Sequence, residues 1–172
     1  MISPAETFLI DEIKTSINDV LESLVKHKND TEWSARTTHF AIEHITGFKK
    51  EYKKDCKKGF LSENAFFDIL LPLHGHMEDL ATGIVLFPSD VTINKALECY
   101  KNPDPKYTKE CSNQILLLKD QIRENGFTSE IIIELVDGNL RHIDGLHRMI
   151  ALGLLLEEGY KYKPVPVYLL IR

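Results

Sequence analysis

Little in this chain marks it for export, for a membrane or for DNA. It has three cysteines, Cys56, Cys99 and Cys111, and no Cys-x-x-Cys pair. An odd, scattered set argues against a disulfide framework and against a zinc site. The opening "MISPAETFLIDEIK" has no basic stretch followed by an apolar core, so no signal peptide is expected. No apolar run approaches the roughly 20 residues that a membrane span needs. These absences imply a cytoplasmic protein with reduced thiols and no membrane partner. Basic excess is missing too, with a net charge of −5 over 172 residues. Duplex-DNA binders take most of their affinity from phosphate neutralisation, so DNA is disfavoured as a partner. The one dense basic run, Lys49 to Lys58, reads as the solvated end of a helix, where lysines complement the dipole. There is no internal repeat and no low-complexity segment.

What is present suffices for a core. The hydrophobic fraction is 43% and the charged fraction 27%, which suits one domain or a domain with a helical extension. Ser3-Pro4-Ala5-Glu6 reads as a helix start, followed by Leu9, Ile10, Ile13, Ile17, Val20, Leu21 and Leu24 at helical spacing. A second helix is expected from Thr31 to about Lys58 with Gly59 as its stop, and a third, capped by Ser62, through "ENAFFDILLPL". Residues 1–76 thus read as an all-helical extension, whose apolar faces should pack on the rest of the chain or on a second copy as a homodimer.

The composition changes after "HGHMEDLATG". "IVLF" before Pro88 reads as a strand, "KNPDPKY" as a loop, and "CSNQILLLKDQIRENG" as a serine-capped helix with a glycine stop. Ile131 to Leu135, the Asp137-Gly138 turn and Leu140 to Ile143 predict a β-hairpin. Asp144-Gly145 is a second turn, "LHRMIALGLLLEEG" a helix ending at Gly159, and "KPVPVYLLI" a last strand, at an edge or with prolines at its entry. The fold class is α/β (α+β), with a second unit over 77–172.

The candidate chemistry lies where the hairpin meets that helix. A helix N-terminus presents free N–H groups and a positive dipole end, and so binds anions. Gly145 lets a ligand approach the backbone. His147 and Arg148 are cations in a first turn, where the dipole opposes them and a bound polyphosphate would offset the repulsion. Arg148 can fork to phosphate oxygens, His147 can donate to phosphate or move a proton, and Asp144 is a hard oxygen ligand for Mg²⁺. Arg141 and His142 alternate on the adjoining strand, so one of them faces the pocket. His74, His76, Glu78 and Asp79 lack zinc-site spacing and read as a linker. His39 and His44, five apart on a helix, pair poorly.

From about Ile84 to Ile171, the order "IVLFPSDV", "LLLKDQIRENG", "SEIIIEL", "DGNLRHIDGLHRMIALGLLLEEG", "KPVPVYLL" resembles the ParB/sulfiredoxin-like superfamily. The resemblance covers about half the chain. It implies that Gly145, Leu146, His147 and Arg148 hold the phosphates of ATP or another nucleotide. Sulfiredoxins carry their reactive cysteine where this chain has Leu146, and partition-type ParB proteins carry a further helix-turn-helix domain. "DGLHR" is most similar to the turn of the free-serine-kinase branch, which often has a second histidine at the position of Leu146. That likeness implies an ATP-dependent kinase of a small metabolite such as a free amino acid, with Mg²⁺ on Asp144 and a general base at Asp90 or Glu98. Asp144 and His147 would then join the catalytic set. A non-catalytic nucleotide switch and a ParB-like DNA-associated protein are the alternatives.

Overall fold

The computed structural model describes residues 8–28, 32–53, 56–75, 81–107 and 110–172. In chain order they form β1 (Leu9–Thr15), α1 (Ile17–Lys28), α2 (Glu32–Gly47), β2 (Cys56–Leu61), α3 (Glu63–Phe67), β3 (Leu70–Leu71) and β4 (Val91–Thr92). Then follow α4 (Ile93–Lys101), α5 (Glu110–Asn125), β5 (Ile131–Val136), β6 (Asn139–Asp144), α6 (Leu146–Glu157) and β7 (Val165–Ile171). The strands make one seven-stranded mixed sheet in the order β1-β2-β7-β5-β6-β3-β4.

Strand alternation sorts the core into two faces. Ile131, Ile133, Val167 and Leu169 belong to one apolar cluster, with residues of α3, α4, α5 and α6. Ile132, Tyr168 and Leu170 belong to another, closed by Val20 and Leu24 of α1 and Ala41 and Ile45 of α2. Helices therefore cover both faces of the sheet, and the expected packing of the N-terminal helices on the sheet is observed.

The all-helical reading of residues 1–76 is corrected. Leu9–Thr15 is a strand, and α1 begins only at Ile17. Its start is a reciprocal capping box: Ser16 N–H donates to Asp19 Oδ2 at 2.9 Å, and Asp19 N–H donates to Ser16 Oγ at 3.2 Å. The start expected at Ser3-Pro4 lies outside the described residues. The second helix stops at Gly47, and the lysine run continues into β2, where Lys57 pairs with Glu12 and Lys58 with Glu130. Gly59 stops no helix. It sits inside β2 opposite a bulge in β1, and a Cβ there would meet the Ile10 carbonyl oxygen at 2.9 Å. Ser62 does cap α3, which ends at Phe67 and gives way to β3. The boundary expected at residue 76 falls between β3 and β4, two neighbouring strands of the one sheet.

Three further expectations change. "IVLF" forms no strand; Phe87 makes a single bridge to His74, and the next strand is Val91–Thr92. Ser112 does not cap α5, which is already helical at Glu110. β7 is an interior strand between β2 and β5, not an edge. Its prolines fit as a strand entry: pairing with β5 starts at Val167, one residue beyond Pro166.

The hairpin stands as expected. Asp137 (φ 50°) and Gly138 (φ 79°) both take positive φ, as a two-residue type I′ turn requires. β6 then delivers the chain to Gly145, the N-cap of α6.

Candidate functional site

Gly145 turns the chain from β6 into α6 at φ 98°, a conformation that L side chains rarely adopt. A Cβ at this position would lie 2.6 Å from Ile131 Cγ2 and 3.2 Å from Arg148 Nη2. Gly145 supplies no side-chain cap, and the first intrahelical bond runs from Met149 N–H to its carbonyl at 3.0 Å. The earlier N–H groups, those of Leu146, His147 and Arg148, have no partner within the helix. Leu146 sends its side chain into the core, so its main chain is what it can offer a ligand.

Arg148 closes back over the turn. Nη1 donates to the Ser129 carbonyl at 2.9 Å and to Ser129 Oγ at 2.6 Å, and Nη2 donates to Asp144 Oδ2 at 3.1 Å. The Arg148 and Asp144 side chains are 12% and 13% exposed, so this pair is shielded from solvent screening. Burial works against the Arg148 charge, while Asp144 and Glu130 support it. Arg148 also lines a cleft of about 240 Å³ whose other walls are the C-terminal half of α5 and Gly126 to Thr128.

His147 faces inward. Its Nε2 lies 3.0 Å from Nε2 of His74, 73 residues earlier, with the rings edge to face. Cys111, buried in the first turn of α5, completes a group whose ligand atoms all lie within 4.8 Å of one another. Burial pushes His74 down to about 4 and His147 to about 3; repulsion that a protonated His74 or His142 would exert adds to the effect on His147. His142 is pushed down to about 3 by burial first and then by His74, Arg148 and His44. Its Nε2 is buried with no hydrogen-bond partner among the described residues.

Sequence reasoning assigned His74 to a linker with His76, Glu78 and Asp79; the last three lie outside the described residues. Nothing in local spacing joins His74, Cys111 and His147, because three separate segments contribute one residue each.

The two candidate bases sit differently. Asp90 has a left-handed backbone (φ 57°), and its Oδ1 accepts from Arg141 Nη1 on β6 at 2.5 Å. Glu98 pairs with Lys95 on its own helix, in solvent. Lys95 holds the Glu98 carboxyl below its ordinary value. Of the strand pair Arg141 and His142, Arg141 reaches out to Asp90 and His142 buries its Nε2.

No protein-family model, no curated protein and no solved structure matches the chain. Fold and site together define an α/β protein with a seven-stranded mixed sheet and a glycine-led helix start at the end of a hairpin. Among the described residues no helix is long and apolar enough to cross a membrane.

Proposed function

We propose that the protein is an ATP-dependent kinase of a small hydroxyl- or amine-bearing metabolite, such as a free amino acid, built on a ParB/sulfiredoxin-like domain. The observation that carries this reading is the start of α6. An uncapped helix N-terminus and a left-handed glycine with no room for a Cβ stand together with an arginine one turn on, and that arginine lines a cleft. These residues fit a nucleotide: main-chain N–H groups and Arg148 suit phosphate oxygens, and Asp144 suits Mg²⁺. Mg²⁺ supplies charge neutralisation at the phosphates. Arg148 then exchanges one carboxylate partner for phosphate. His147, turned inward, contributes its main-chain N–H.

Asp90 is the better general base. Arg141 ties it to β6, and its uncommon backbone conformation is a form of strain that concentrates at functional positions. Asp90 takes the proton of the acceptor hydroxyl, the oxygen attacks the γ-phosphoryl group, and ADP leaves. Glu98 is equally exposed and also paired, but its partner Lys95 is on its own helix rather than on β6.

A second reading, a nucleotide-binding switch without transfer, draws on the Asp144–Arg148 pair, which already neutralises the proposed Mg²⁺ ligand. A thermal-shift screen of ATP, ADP and CTP with Mg²⁺, followed by ADP release against an amino-acid panel, separates the two. Stabilisation by ATP with acceptor-dependent ADP release supports the kinase. Stabilisation with no release from any acceptor favours the switch, and no stabilisation by any nucleotide defeats both.

A further inference from the structure

His74, Cys111 and His147 converge from three parts of the fold. His74 is fixed on both sides of its backbone by the bridge to Phe87: its N–H donates to the Phe87 carbonyl at 3.1 Å, and its carbonyl accepts from Leu86 at 2.8 Å. Cys111 is held by the first turn of α5 and is 4% exposed. His147 is held by the first turn of α6. Their donor atoms are two imidazole nitrogens and one sulfur, with no carboxylate or carbonyl in the group. The geometry points to a zinc site made by the side chains of His74, Cys111 and His147, which shares only the His147 main chain with the proposed phosphate site and does not depend on the kinase reading.

The donor set selects the ion. Nitrogen and thiolate suit zinc and disfavour Mg²⁺ and Ca²⁺, which take oxygen ligands. The spacing is close to what zinc demands. Tetrahedral bonds of about 2.0–2.1 Å to nitrogen and about 2.3 Å to sulfur place donors about 3.4–3.6 Å apart. The two Nε2 atoms are 3.0 Å apart, and no donor pair exceeds 4.8 Å. Donor shifts of about 1 Å bring the set to those separations. Three protein ligands leave a fourth position for water or an added ligand, as in zinc sites with an open coordination position. A bound ion would join the His74 bridge, α5 and α6 at one point, and so fasten the helix that starts at Gly145.

The test uses the full chain, stripped with chelator and then given Zn²⁺ or Co²⁺ alone. We expect one equivalent of zinc to be retained on desalting and to raise the unfolding midpoint. Co²⁺ should give a thiolate charge-transfer band and the intense visible bands of a tetrahedral centre. Cys111→Ser should abolish the charge-transfer band. His74→Ala should lower zinc affinity by about 100-fold or more, beyond the usual loss for an outer-shell partner. His39→Ala, a half-exposed histidine on α2, should change neither reading. Wild-type protein that takes up no zinc at micromolar free ion, or binds Co²⁺ without a thiolate band, overturns the assignment whether or not the variants fold. Zinc uptake unchanged in both folded variants overturns it as well.

Discussion

The Tyr52 hydroxyl donates to Glu134 Oε2 at 2.7 Å, across 82 residues and inside the core. Glu134 is 3% exposed on β5, and its other oxygen lies 3.1 Å from Arg172 Nη2 and 3.3 Å from His44 Nε2. The His44 contact is a charge-pairing distance without hydrogen-bond alignment. Arg172 in turn stacks over the Phe48 ring at 4.2 Å. One carboxylate thus ties α2, the segment before β2, β5 and the end of the described chain together beneath the α1–α2 layer.

Acid should release this knot. Burial would raise the Glu134 carboxyl, but His44, Tyr52 and Arg172 outweigh it and hold it below its ordinary value of 4.5. A depressed carboxyl contributes stability that is complete above its unfolded value and lost as pH falls through the folded one. Glu134→Gln should therefore cost about 2–3 kcal/mol at neutral pH, the scale of a charged hydrogen bond. The gap between wild type and variant should narrow below about pH 4. Denaturant titrations at both pH values check this; a gap constant across pH would disprove the linkage.

Gly145 and Gly138 separate backbone strain from collision. Both have positive φ, but nothing lies within 4 Å of a Cβ at Gly138, whereas Ile131 Cγ2 blocks one at Gly145. Gly138→Ala should cost about 1 kcal/mol. Gly145→Ala should cost about 2–4 kcal/mol, the strain plus overpacking. Equal losses in thermal or denaturant unfolding would show that Ile131 yields freely.

Arg148→Ala should act twice. It should weaken nucleotide binding by about 1.5–3 kcal/mol, the worth of a charge-assisted fork. It should also destabilise the free protein by about 3–5 kcal/mol, by stranding the Asp144 carboxylate. Adding Asp144→Asn should recover part of the stability and none of the affinity. Calorimetry with ATP and an unfolding double-mutant cycle measure the two effects separately; unchanged affinity in Arg148→Ala would remove it from the phosphate site.

Asp90→Asn should leave ATP affinity nearly intact and slow phosphoryl transfer by about 10²-fold or more, the usual scale for a general base. Glu98→Gln should leave transfer within a factor of about two, since it breaks only an exposed pair within α4 and touches nothing on β6. Steady-state rates with an identified acceptor decide it, and a large loss in Glu98→Gln alone would move the role there.

The C-terminal half was the more legible. Asp137, Gly138 and Gly145 sit at φ values few other residues adopt, and the flanking isoleucines favour a strand. The N-terminal half misled because Leu9, Ile10, Ile13 and Ile17 suit a helical period as well as a strand followed by a helix. The decisive signal was local: Ser16 with Asp19 three residues on, a capping box in mid-pattern. Gly59 misled in a different way. Its cause is a close approach of β1, visible only once the strands are paired. The His74–Cys111–His147 cluster had no local signature at all, because tertiary contact alone assembles it.

The bulge in β1 has a bearing on how copies of this chain meet. Among the described residues one rim of the sheet is β1, whose register breaks between Ile10 and Ile13 with Asp11 at φ 51°. The other rim is β4, two residues long. An incoming strand would find no straight run of free N–H and C=O groups on either side. A wide open sheet with Ile10, Ile13 and Phe60 in solvent would otherwise template fibril growth at crowded concentrations. Its two rims are spoiled by backbone shape, and the exposed Asp11, Glu12 and Lys14 of β1 add charge to one of them, so the protein resists that fate.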